Sequence, residues 1–155
     1  LSLKKKNPLA GTSFFSYNEH EEGEILPKKL SLMEKEWAIR KYSVLAKSQR
    51  IYDEIRELLK DKVAPDEERF FSLIREAYLM PDDSKAMANS FYHVFGYGKT
   101  VATTDEKILF LDMMDGFREG KVFESEIKHF LKKLAKRANS TYLLRSDYFQ
   151  KKEEF

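Results

Sequence analysis

From Ser31 onward the apolar positions of this chain recur every three or four residues, and no stretch alternates with the period of two expected of a half-buried strand. Ser31 and Glu34 form a capping-box pattern that opens a long helix reaching to about Lys62, with Trp37, Val44, Leu45, Ile51, Tyr52, Ile55, Leu58 and Leu59 along one stripe. Pro65-Asp66-Glu67-Glu68 starts a second helix, its acids in the first turn where the helix dipole favours them. Pro81-Asp82-Asp83-Ser84 breaks the chain and caps a third. Thr103 and Glu106 cap a fourth that ends near Gly120. Its apolar residues (Ile108, Leu109, Phe110, Leu111, Met113, Met114 and Phe117) run almost all round, which predicts a place near the bundle centre. A fifth helix runs from about Glu124 to Ala138 with Asn139 as a left-handed cap, and Ser140 to Phe149 reads as a short final helix. The expectation is an all-α protein: a single compact bundle of five to six helices over residues 31–150. An irregular N-terminal arm or linker (residues 1–30) precedes it and a short tail (residues 151–155) follows.

Composition narrows the chemistry. The 155 residues suffice for one domain with a real core, and 42% hydrophobic with 14% aromatic content argues against disorder. The net charge is only +2, so any electrostatic role depends on where the charges stand. The chain has no cysteine, which excludes disulfides, thiolate metal sites and cysteine nucleophiles and fits a reducing compartment. No apolar run approaches the roughly 18 residues of a membrane span, and no secretory signal is visible. A cytoplasmic protein is expected. The arm carries Lys4-Lys5-Lys6, an acidic patch from Glu19 to Glu24, and Phe14, Phe15 and Tyr17, which could dock on a core or a partner.

Three constellations invite a functional reading. In the third helix Asn89, His93 and Tyr97 share one face, opposite Met87, Phe91, Val94 and Phe95, and the helix ends on Gly96, Gly98 and Lys99. In the first helix Lys41 and Ser48 fall inside the apolar stripe, with Arg40 and Lys47 along its edge. A lysine there must snorkel, pair with an acid or line a pocket, because an unpaired buried charge is costly. In the fifth helix Ile127, Phe130, Leu131, Leu134 and Ala138 face one way, while Lys128, His129, Lys132, Lys133, Lys136 and Arg137 cover the other. Such an arc suits phosphates, although a solvated helix face is the commoner explanation. The three histidines stand in no metal-ligand pattern, so no metal or cofactor is expected. Gly96-Tyr97-Gly98-Lys99 lacks the spacing of a phosphate-binding loop, and no serine sits in a strand-turn-helix elbow.

Asn89-x-x-x-His93-x-x-Gly96-Tyr97-x-Lys99, Glu106-Lys107, Phe117-Arg118-x-Gly120, Tyr142-Leu143 and Tyr148 together resemble the YbgA-like family, a domain of unknown function that often follows a thiouracil desulfidase-like domain. Arg40-Lys41 through Lys47-Ser48-Gln49 with Tyr52 resembles that family's first motif, with Arg40 and Lys47 standing where histidines are usual. The resemblance covers roughly residues 34–149. It carries over directly at Lys41, Ser48, Asn89, His93, Gly96, Tyr97, Lys99, Arg118 and Gly120. Members fused to the desulfidase domain are implicated in removing sulfur from thiolated uridine in tRNA, which implies that the helical part contributes to RNA binding. Without cysteine this chain cannot hold such a desulfidase's iron–sulfur cluster, so the resemblance implies a recognition module or a separate desulfidase partner.

The leading expectation is therefore a non-catalytic accessory module for structured RNA, with tRNA foremost. Arg40, Lys41, Lys47, Ser48, Lys99, Arg118, Lys128, Lys132, Lys133 and Lys136 would contact phosphates, and Asn89, His93 and Tyr97 a base or sugar. One alternative is an enzyme for a small phosphorylated or nucleotide-like ligand, with His93 as general acid/base beside Lys41 and Arg118. The other is a protein-interaction module that docks through the aromatic arm.

Overall fold

The computed structural model describes residues 22–150, with side chains from Lys28 onward. Among these residues there are seven α-helices and no strand: α1 (Glu22–Leu45), α2 (Gln49–Leu58), α3 (Glu67–Leu79), α4 (Ser84–Gly98), α5 (Thr104–Arg118), α6 (Glu124–Arg137) and α7 (Thr141–Arg145), closed by a 3-10 turn at Asp147–Phe149. The class is all-α, as expected. The expected arm lies outside the described residues as far as position 21, as does the tail from position 151.

Most helix starts follow side chains that take up orphan amides. The Asp66 carboxylate accepts from the Arg69 amide, and Asp83 accepts from Lys85 and Ala86. Thr103 and Glu106 close a reciprocal capping box on α5. Asn139 takes the left-handed conformation after α6, with φ 54°.

Three boundaries differ from the sequence reading. The long first helix is two helices, because Ser48 accepts from the Ile51 amide and caps α2. Its side chain offers the backbone an alternative partner to the helix ladder, which ends α1 at Leu45. Ser31, expected as an N-cap, lies inside α1, which already begins at Glu22. The final helix stops at Arg145, and Ser146 then accepts from the Tyr148 amide to start the 3-10 turn.

Burial follows partners rather than composition. Helix α1 runs through the middle, against α2, α3, α4 and the 3-10 turn, and α4 packs most extensively on α6. Helix α5, expected at the centre, lies at the edge, touching α4 and α6. Only Phe110 and Met114 of α5 are buried; Ile108, Leu109 and Leu111 are 61%, 47% and 55% exposed. Two neighbours cover only part of a helix surface, so apolar residues elsewhere on α5 stay in water. Phe110 anchors it by stacking on Phe95 of α4 at 4.1 Å.

The α4·α6 contact is close at one point. A Cβ added at Gly98 would stand 2.8 Å from the Leu134 Cβ, whereas one at the exposed Gly96 would meet nothing within 4 Å. Gly98→Ala should therefore destabilise the fold by about 1–3 kcal/mol through overpacking. Gly96→Ala should be neutral or stabilising by up to about 1 kcal/mol from helix propensity. Chemical denaturation of the pair checks this, and equal midpoints would contradict the packing account.

Candidate functional site

Two adjacent residues of the 3-10 turn fix the region that the sequence marks as functional. Asp147 accepts from Arg40 at 2.7 Å, from the Ser43 hydroxyl at 2.6 Å, and from the Tyr78 hydroxyl by a short bond. The Arg40 Nε donates to Glu36 at 2.8 Å, and its guanidinium lies 5.6 Å from the centre of the Tyr78 ring. Burial opposes the charge on Arg40, but the bonds to Glu36 and Asp147 outweigh it and hold the group protonated. Tyr148 is buried; its hydroxyl shares a 2.7 Å hydrogen bond with Ser90, and Lys128 sits 4.5 Å above its ring.

Beside this plug stands a cluster of tyrosines. The Tyr42 and Tyr97 hydroxyls are 2.5 Å apart, and the Tyr97 ring stacks on Tyr142 at 6.0 Å. Burial and the Tyr97 contact push the Tyr42 phenol far above its usual range, so it stays neutral. Lys41 lies 5.9 Å from the Tyr42 ring centre and 5.5 Å from that of Tyr142. Its position in the stripe is accommodated by aromatic faces rather than by a carboxylate.

The remaining expected site residues separate into engaged and free groups. Lys47 donates to the Met80 carbonyl and to Asp82, each at 2.8 Å, tying the loop after α1 to the end of α3. Ser48 is consumed as the cap of α2. Asn89 donates to Gln49 at 2.7 Å. Arg118 is held on the α5 side of α4 by Asp115 and the Tyr92 hydroxyl. Lys128 pairs with Glu124 at 2.9 Å. His93 and Lys99 are exposed on α4. Lys132, Lys133 and Lys136 are exposed on α6, with no carboxylate partner among the described residues.

These residues do not form one surface. Helices α4 and α6 pack through their buried sides, Phe91, Val94 and Gly98 on one and Ile127, Leu131 and Leu134 on the other. Asn89 and His93 therefore point away from the α6 lysines. Two hollows bear on the candidate residues. One of about 460 Å³ between α2 and α3 is lined by Arg50, Asp53, Glu54, Glu57, Leu58, Arg69 and Leu73, and its cations pair with its acids. The other, about 380 Å³, lies between α1 and α7 and is lined by Lys35, Ala38, Ile39, Thr141, Tyr142 and Arg145. Neither is lined by His93, Lys41 or Arg118, which the enzyme alternative needs together. No group of three His, Asp or Glu side chains among the described residues is arranged to hold a metal ion. No described helix is long and apolar enough to cross a membrane.

Sequence reasoning missed Asp147, whose partners lie more than 60 positions upstream and leave no local pattern. Lys35 and Arg145 belong to no motif of the sequence, although Tyr142 beside them does.

Glu36 is 2% exposed, and its Oε1 has no hydrogen-bond partner among the described residues. Burial pushes its carboxyl above the ordinary 4.5, against the pull of Arg40. The folded state then holds this proton more tightly than the unfolded chain does. Glu36's contribution to stability is greatest below pH 4.5 and is lost as pH rises through the raised folded value. Relative to Glu36→Gln, the native protein should lose melting temperature between pH 4.5 and neutrality. A gap independent of pH would contradict this.

A family model described as a protein of unknown function (DUF1722) matches residues 41–152. No curated protein and no solved structure matches the chain. The match spans more than half of the sequence and includes the tyrosine cluster, the α6 lysines and the 3-10 turn. The chain belongs to the DUF1722 family, the YbgA-like domains.

Proposed function

We propose that this chain is a non-catalytic helical module that binds structured RNA, tRNA foremost, through the outer face of α6. The observation that carries the reading is the state of the cations. Arg40, Lys47, Arg118, Lys128 and Arg137 are each bonded to a carboxylate of the fold. Lys132, Lys133 and Lys136 have no such partner among the described residues and share one exposed arc with His129. Free ammonium groups at helical spacing can each replace a counterion on a phosphate, and that release is the main sequence-independent drive for nucleic-acid binding. Paired cations would first have to give up a partner. The reading narrows the expected contact set to these lysines because they share one arc of α6, and it leaves the Asn89–His93 face and the exposed Lys99 after α4 outside it. It also places the chain in the cytoplasm and assigns any reaction on the RNA, thiouridine desulfurisation included, to a separate partner.

Titration of tRNA over a range of salt concentrations is the test. Binding should weaken as salt rises, with a log–log slope of about −0.9 for each duplex phosphate contacted. The triple Lys132→Gln, Lys133→Gln, Lys136→Gln variant should bind more weakly and lower the slope by about 3, with the melting temperature unchanged. No affinity at low salt, affinity without salt dependence, or a triple variant that binds like the native chain would refute the reading.

A further inference from the structure

The hollow between α1 and α7 differs from the one between α2 and α3 in its charges. In the latter both lining cations, Arg50 and Arg69, are paired with the lining Glu54. Around the former stand Lys35 and Arg145, both exposed, with Lys41 beside the Tyr142 ring. Among the described residues none of the three has a carboxylate partner, and no described acid lines the cavity. Two cations without a described partner line one concave space, with Lys41 seated on the Tyr142 ring beside it, and an anion there relieves their repulsion.

The walls add shape to charge. Ala38 and Ile39 provide an apolar side, Thr141 a hydroxyl, and Tyr142 a ring. That ring is set in place by stacking on Tyr97, which is itself bonded to Tyr42. Burial raises the Tyr142 phenol above its ordinary value, so the ring remains neutral and does not oppose an anion. The hollow, about 380 Å³, is open on one side, so it suits part of a ligand such as one nucleotide rather than an enclosed molecule. A fixed aromatic platform with cations at its margin is the arrangement that holds a planar ring carrying a phosphate, because stacking tolerates any base and the ammonium and guanidinium groups take the phosphate oxygens.

We propose that the α1/α7 hollow is a binding site for a nucleotide unit, with the base against Tyr142 and the Ala38–Ile39 wall and the phosphate held by Lys35 and Arg145. A free nucleoside monophosphate and an unstacked or terminal nucleotide of an RNA strand offer the same chemistry. The site rests on observations independent of the α6 lysines and stands or falls separately from the RNA reading.

The experiment is amide-resolved NMR titration of the full chain with AMP, adenosine, inorganic phosphate and a short oligoadenylate. AMP should shift the amides of Ala38, Ile39, Thr141 and Tyr142, while adenosine and phosphate alone bind much more weakly. Arg145 is exposed at a helix end, so Arg145→Gln should fold normally and weaken AMP binding about tenfold, the loss expected for one charge-assisted bond. The triple α6 lysine variant should keep these shifts even where tRNA binding is lost. Shifts with oligoadenylate but not AMP support the site and identify an RNA strand as its source; shifts with AMP identify a free nucleotide as sufficient. The proposal is overturned if neither ligand shifts these amides, if Arg145→Gln binds AMP unchanged, if phosphate alone binds as tightly as AMP, or if the α6 variant abolishes the AMP shifts.

Discussion

The carboxylate of Asp147 holds the end of this fold to its beginning. It takes one hydrogen bond each from Arg40, Ser43 and Tyr78, and thereby ties the last turn to α1 and α3. The next residue, Tyr148, fills the space among α1, α4 and α6, its hydroxyl on Ser90 and its ring edge against Tyr42. With the turn fixed on both sides, α7 is set beside α1, and Tyr142 comes into stacking contact with Tyr97. Removing one partner from such a shielded pair costs more than the pair itself contributes, since the other charge is left without compensation. Arg40 is therefore part of the frame.

That constraint explains which parts of the architecture were legible in the sequence. Most local signals read true: the Pro81–Ser84 break supplies the Asp83 cap, the Thr103–Glu106 box caps α5 and Asn139 ends α6, whereas Asp66, expected in the first turn, is the N-cap of α3, and the Ser31–Glu34 box lies inside α1. Non-local ones left no trace. Ser48 reads as a polar residue inside a stripe until the Ile51 amide is seen on its hydroxyl. Helix α5 has the composition of a central helix, yet α1 holds the centre. Periodicity reports which residues can be buried, and only tertiary neighbours decide which are.

The candidate site divided for the same reason. Charge type and helical spacing made Arg40, Lys47, Lys128 and the three α6 lysines look alike in sequence. Their difference lies in their carboxylates: Asp147 reaches Arg40 and Asp82 reaches Lys47 from distant elements, Glu124 pairs with Lys128 one turn away on the same helix, and none of the described ones reaches Lys132, Lys133 or Lys136. Lys41 is intermediate, seated on two tyrosine rings at the edge of an aromatic cluster.

The central proposal is that the paired cations build the fold and the α6 lysines, without described partners, bind RNA. The most direct measurement neutralises each cation in turn, Arg40, Lys47, Lys128 and Arg137 against Lys132, Lys133 and Lys136, and records melting temperature and tRNA affinity for every variant. The account predicts two separate groups: the first loses stability and keeps affinity per folded molecule, and the second loses affinity and keeps stability. If the folded paired variants lose as much affinity as the unpaired ones, or if neutralising the α6 lysines lowers stability while affinity is untouched, the account is wrong.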